Sequence, residues 1–186
     1  MTKFTRAFTK FSKDVIKRAR ISLSKRKKNT TGNLSKSLIS TLDIDKRTGE
    51  ITLDFNAPDA PYYQFVDQGV QGALTNKKAP LSPFKFGSGK GKKGGLRNGI
   101  RDWIGNKPIK QWKDKKTGRF LSYDQMTNLI SRSIYQHGIK PTYFLSGSLE
   151  RAFNKHKSRL EDAIVDDYAV FFGEQFKDNI EIEIEI

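Results

Sequence analysis

The stretch from Gly138 to Phe176 sets the terms for the rest of this chain. It opens as Gly138-Ile139-Lys140-Pro141-Thr142-Tyr143-Phe144-Leu145, and apolar side chains then recur at Leu149, Phe153, Leu160, Ile164 and Phe171. Steps of four, seven, four and seven make the stripe of an amphipathic helix, and Ala152, Ala163 and Tyr168 widen it. Pro141 keeps any earlier helix from running straight through, and Ser146 or Ser148 is placed to cap the new one. A helix of roughly 28 residues is about 42 Å long. That length lets a sheet lie across it, so the expected fold is α+β.

At 186 residues the chain suits one domain, 1–186, that carries a large insertion. Hydrophobic residues make up 35% and charged residues 30%, so the core is expected to be modest and some loops to order only against partners. The absence of cysteine excludes a disulfide framework and thiolate chemistry. No signal-peptide pattern and no apolar run near the ~18 residues of a membrane span are present. The expectation is a soluble chain made in the cytoplasm, with no membrane partner.

Net charge is +15 with a pI near 9.9, and the charge is unevenly spread. Lys3 to Lys28 is strongly basic, with Asp14 its only acid, and Lys77 to Arg119 is relieved only by Asp102 and Asp114. From Glu161 onward the sign reverses, and Lys177 is the lone cation there. Such a chain can bind nucleic acid. It can also attract copies of itself head to tail, a heterologous contact that closes into rings when the rotation allows. Plain solvation of surface charge accounts for any single lysine.

Taken in order, residues 3–27 read as a basic helix with Phe4, Phe8, Phe11, Val15 and Ala19 as its stripe, packed on the domain's own sheet or laid on a partner. Leu38, Leu42 and Ile44 in a strand over 37–46, turn material at Lys46 to Glu50, and the alternation Ile51, Leu53, Phe55 together predict a β-hairpin. Pro58 and Pro61 end it. Tyr62 to Gly69 is a short aromatic segment that fills the seam between sheet and helix or serves a subunit interface, where Tyr and Phe are enriched.

Residues 73–121, rich in Pro, Gly and Lys, read as a long basic loop insertion, an arm of a kind that is usually functional or disordered. Leu96, Ile100, Trp103 and Ile104 suggest a short helix within it. A further helix over about 122–137 is capped by Ser122 or Asp124, with Met126, Leu129, Ile130 and Ile134 inward. The end, Ile180 to Ile186, alternates Ile and Glu perfectly and predicts a strand with one buried side, joining its own sheet or a neighbour's edge. The full fold expectation is an antiparallel sheet packed against a long C-terminal helix and an N-terminal helix.

Chemistry finds little support. Gly89-x-Gly91-x-x-Gly94 has the spelling of a dinucleotide fingerprint, but no apolar strand precedes it. His137 and His156 lack metal-ligand spacing, and no nucleophile-elbow motif occurs. The expectation is no catalytic residue, no metal and no cofactor: not an enzyme. Phosphate neutralisation by the Lys77–Arg119 stretch, with Trp103 and Trp112 stacking on bases, is a reasonable accessory property.

Four segments in this order resemble the tail-completion or neck proteins of tailed bacteriophages. They are the basic N-terminal helix; Thr31-Gly32-Asn33-Leu34-Ser35-Lys36-Ser37-Leu38; Tyr62-Tyr63-Gln64-Phe65-Val66-Asp67-Gln68-Gly69; and Lys140-Pro141-Thr142-Tyr143-Phe144-Leu145 opening a long helix. Gln68-Gly69-Val70 departs from the family's acid, Gly and small hydroxyl residue, and the 73–121 insertion is larger than usual.

The resemblance implies a structural virion protein, an oligomeric ring at the head–tail junction assembled in the bacterial host cytoplasm. Such a ring links portal or adaptor to tail and helps retain packaged DNA. It implies that Lys90, Lys92, Lys93, Arg97, Lys115 and Lys116 contact a partner or DNA. Tyr62, Tyr63, Phe65, Tyr143 and Phe144 would then serve the subunit interface. The competing expectation is a stand-alone, non-specific nucleic-acid-binding protein.

Overall fold

The computed structural model describes residues 3–26, 31–44, 51–89, 94–107 and 109–182. Among the described residues it is α+β, with six helices and one two-stranded antiparallel sheet. The elements are α1 (Lys3–Lys25), α2 (Asn33–Ser37), β1 (Ile39–Ile44), β2 (Ile51–Asn56), α3 (Tyr63–Gln68), α4 (Gly95–Asn106), α5 (Tyr123–His137) and α6 (Ser146–Ile182). They fall into two compact units, each assembled from separated pieces of sequence. One is Met1–Ser22, Leu38–Asn56 and Leu145–Ile186; the other is Leu23–Ser37 and Ala57–Phe144.

In the first unit α1 buries Phe4, Phe11, Val15 and Ala19, as its period predicts, together with Ala7. The hairpin pairs Leu42 with Leu53 and Ser40 with Phe55 on one face, and the Phe55 ring meets Phe11 edge-on at 6.5 Å. The expected turn at residues 46–50 lies outside the described residues. Helix α6 runs antiparallel to α1, since Lys3 pairs with Asp166 while Asp14 pairs with His156.

Asp14, the lone acid of the basic N-terminal stretch, is the pin. Its Oδ2 accepts from His156 Nε2–H (3.1 Å) and Lys155 Nζ (3.3 Å), and Arg18 Nε lies 3.1 Å away. Burial on its own raises the Asp14 pKa, but hydrogen bonding to Arg18, His156 and Lys155 outweighs it and holds the carboxyl below its ordinary 3.8. At the start of α1, where backbone N–H groups have no helical partner, Phe4 N–H donates to Asp167 Oδ2 at 3.2 Å. An acid from α6 thus supplies what the first turn of α1 lacks.

Two expectations for α6 are corrected. Its buried line is Ser148, Ala152, His156, Leu160 and Ala163, whereas Leu149 and Phe153 stand exposed. The bond to Asp14 holds His156 inward, which sets the buried line one position round from Leu149 and Phe153. The side chains of Tyr168 and Phe171, expected on that face, lie outside what is described. Residues 180–182 are the last turn of α6 rather than strand, and 183–186 lie outside the described residues. Extending a helix already formed adds a hydrogen bond per residue with no nucleation cost, which overrides a short alternating pattern.

In the second unit α5 begins at a capping box. Ser122 Oγ accepts from Gln125 N–H (3.2 Å) and Gln125 Oε1 accepts from Ser122 N–H (2.8 Å). Helix α5 buries Met126 and Thr127, while Leu129, expected inward, is half exposed. Its neighbour α4 runs antiparallel to it: Arg97 Nε donates to Asn128 Oδ1 and Arg101 to Asp124 Oδ1, both at 2.7 Å.

Candidate functional site: a basic aromatic groove

Two of the sequence segments singled out above meet at a backbone crossing. Val70 N–H donates to Ile139 O (3.0 Å) and Ile139 N–H to Val70 O (2.8 Å), an antiparallel bridge. Three glycines make the approach possible. A Cβ on Gly69 would lie 2.5 Å from Ile139 O; on Gly72 it would strike the Gln136 carbonyl, and on Gly138 the Val70 carbonyl. Gly69 and Gly138 also hold φ of 73° and 77°, a region costly for any residue with a side chain.

The crossing ties down its surroundings. Gln71 accepts from Phe86 N–H (3.0 Å) and donates to Phe84 O (2.8 Å), so residues 84–86 flank the side away from Ile139. Thr142 closes the end of α3, its Oγ1 donating to Val66 O at 2.6 Å and its N–H to Asp67 O at 3.0 Å. Tyr143 N–H adds a second bond to Asp67 O (2.9 Å), with Tyr143 at φ 48°. Residues 73–74 bond to the carbonyls of Tyr135 and Gln136, so the start of the 73–121 stretch is built into this unit.

Over this scaffold lies a groove of about 990 Å³. Val66, Leu96, Ile100 and Ile139 give it an aliphatic floor. Tyr62, Phe65, Phe86 and Tyr135 are its aromatic walls, Tyr62 and Phe65 each 44% exposed. Phe65 is propped edge-on by Phe84 at 4.6 Å, and Phe86 leans on Tyr135 at 6.0 Å. The charged residues among its lining are Lys85, Arg97, Arg132 and Lys140, all cations and all exposed. Ser131 Oγ, from the same lining, is buried with no hydrogen-bond partner among the described residues. Apolar walls, no lining acid and four cations suit a ligand that is at once apolar and anionic.

The sequence-predicted residues divide. Tyr62 and Phe65 share this groove with Arg97, a pairing of the expected interface and loop sets that periodicity gave no means to foresee. Tyr63 is half-buried beside them and is not in the lining. Tyr143 is exposed, whereas Phe144 is fully buried and presents no surface to a partner. Lys90, Lys92 and Lys93 lie outside the described residues.

Lys115 and Lys116 sit apart from the groove, at the tip of a small ribbon where Lys113 bridges Phe120. There Asp114 Oδ1 accepts from Thr117 N–H and Lys116 N–H, both at 2.8 Å, which holds its carboxyl below the ordinary 3.8. Lys85, Arg132 and Lys140 were not anticipated as site residues; Lys140, one position before Pro141, was the readable signal.

Among the described residues no group of three or more His, Asp or Glu side chains is placed to hold a metal, and no helix is long and apolar enough to cross a membrane. Comparison with protein-family models, curated proteins and solved structures found no match.

Proposed function

We propose that this chain is a self-assembling structural subunit of the head–tail junction of a tailed bacteriophage. Copies form a ring that links portal or adaptor to tail and helps retain packaged DNA, within virions assembled in the bacterial host cytoplasm. The role is mechanical rather than enzymatic. In this reading the hairpin, α1 and α6 make a rigid body in which the sheet packs on both helices, and the exposed cations of the 73–121 stretch face neighbours.

The observation that carries the reading is the face of α6. Leu149 and Phe153, one turn apart, are 37 and 47% exposed beside a buried line of Ser148, Ala152, His156, Leu160 and Ala163. Two large apolar side chains one helical turn apart and left at the surface suit cover by another copy. The order of the four sequence segments adds support, as do the bonds of Thr142 and Tyr143 to Val66 and Asp67 that join the third and fourth.

The test is mass analysis and electron microscopy of purified phage particles that encode the chain. A fixed copy number at the neck, in a multiple fitting portal or tail symmetry, is the expected result; particles without the chain overturn the reading.

The groove also favours a second reading, non-specific nucleic-acid binding, because cations and exposed rings together suit phosphates and bases. That reading requires tight binding of single-stranded DNA by the free monomer, falling steeply with salt.

A further inference from the structure

We infer that the groove receives an acidic, apolar peptide, and that this peptide is the C-terminal end of a second copy of the chain. The inference rests on the self-assembling reading, because it needs two copies, and it names the surface and the segment that meet.

The groove asks for a particular chemistry. Its aliphatic floor, Val66, Leu96, Ile100 and Ile139, offers no base-sized stacking plane but does accept branched aliphatic side chains. Its charged residues are cations only, so it repels basic segments and attracts carboxylates. Bases would stack on the aromatic walls, yet they would leave that floor poorly filled.

The chain carries one stretch with the matching composition. Ile180, Ile182, Ile184 and Ile186 alternate with Glu181, Glu183 and Glu185, and Lys177 is the lone cation from Glu161 onward. Ile180 to Ile182 are the last turn of α6 in the free chain and unwind on binding; in extended form a period of two sets every isoleucine on one side and every glutamate on the other. The isoleucines then meet the floor while Lys85, Arg97, Arg132 and Lys140 neutralise the carboxylates. Seven extended residues reach about 23 Å, a length over which several rim cations act at once. A groove on one copy and a tail on the next form a heterologous contact, the kind that propagates into a ring.

The experiment uses the full chain and a labelled peptide of residues 174–186. Fluorescence anisotropy is expected to show peptide binding that weakens at least tenfold in Lys85→Glu/Arg132→Glu. Both positions are exposed, and circular dichroism verifies that the variant is folded. A peptide with Glu181, Glu183 and Glu185 changed to Lys is expected to reverse the preference and bind the variant better. In light scattering, the full chain is expected to gain mass with concentration and the chain ending at Asn179 is not.

Peptide affinity indifferent to the groove charges would overturn the inference. So would unchanged association of the shortened chain, or a single-stranded oligonucleotide that occupies the groove and displaces the peptide. Failure of the underlying reading looks different: virions lack the chain while the charge-swapped pair still recognise each other.

Discussion

Asp14 Oδ2 and His156 Nε2 lie 3.1 Å apart, joining residues 142 positions distant in sequence. With Lys155 and Arg18 at the same oxygen, this contact fixes the register of α1 against α6. Because Asp14 is held below 3.8 in the folded chain, the stability it contributes is present above that pH and is lost as pH falls through the lowered value.

Asp14→Asn is therefore expected to destabilise the protein by about 1–3 kcal/mol at pH 7, since it weakens a charge-assisted bond to a buried imidazole. The difference from wild type is expected to shrink below pH 3.8, where the unfolded chain's carboxyl protonates first, and to fade as pH drops through the lowered native value. Urea unfolding at pH 7 and pH 3 reads both effects, and an equal difference at the two pH values would contradict the account.

Gly138→Ala is expected to cost more than the ~1–2 kcal/mol of the left-handed backbone alone, because its Cβ would strike the Val70 carbonyl. Gly118 also has a positive φ, 69°, with nothing near its Cβ position, so Gly118→Ala carries a backbone cost without a collision. Thermal unfolding of the two variants side by side separates collision from conformation.

Ser122→Ala removes one half of the capping box of α5 and is expected to cost about 1 kcal/mol. Chemical denaturation measures it, and Gln125→Ala reports the other half. No loss in either variant would mean that α5 is held by its packing alone.

Phe153→Glu with Leu149→Glu changes exposed positions only, so folding stability of the dilute chain is expected to stay within about 0.5 kcal/mol of wild type. Self-association is expected to weaken at least tenfold, read by sedimentation velocity. Unchanged association would remove the α6 face from the ring proposal.

Where periodicity ruled, the sequence was readable. α1, α4, α5 and the hairpin stand close to where their apolar spacing put them, and Ser122 proved the cap of α5. The buried line of α6 was misjudged because amphipathic pattern weighs large side chains, while the actual contact runs through Ser148, Ala152 and a histidine satisfied by Asp14. The groove was illegible as a whole, since its lining runs from Tyr62 to Thr142 and is brought together by backbone bonds that no side-chain pattern encodes. Its traces were Gly69, Gly72 and Gly138, which mark a close backbone crossing.

The unit holding α1 and α6 joins parts of the chain that are made far apart in time. At roughly 5–20 residues per second the ribosome takes about 7–28 s to travel from Asp14 to His156. Throughout that interval the nascent α1 has its phenylalanine stripe and its positive charge but no α6 to receive them. Whatever shelters a basic amphipathic helix for those seconds, whether chaperone, ribosome surface or the hairpin made soon after it, governs how much of this protein reaches its folded state.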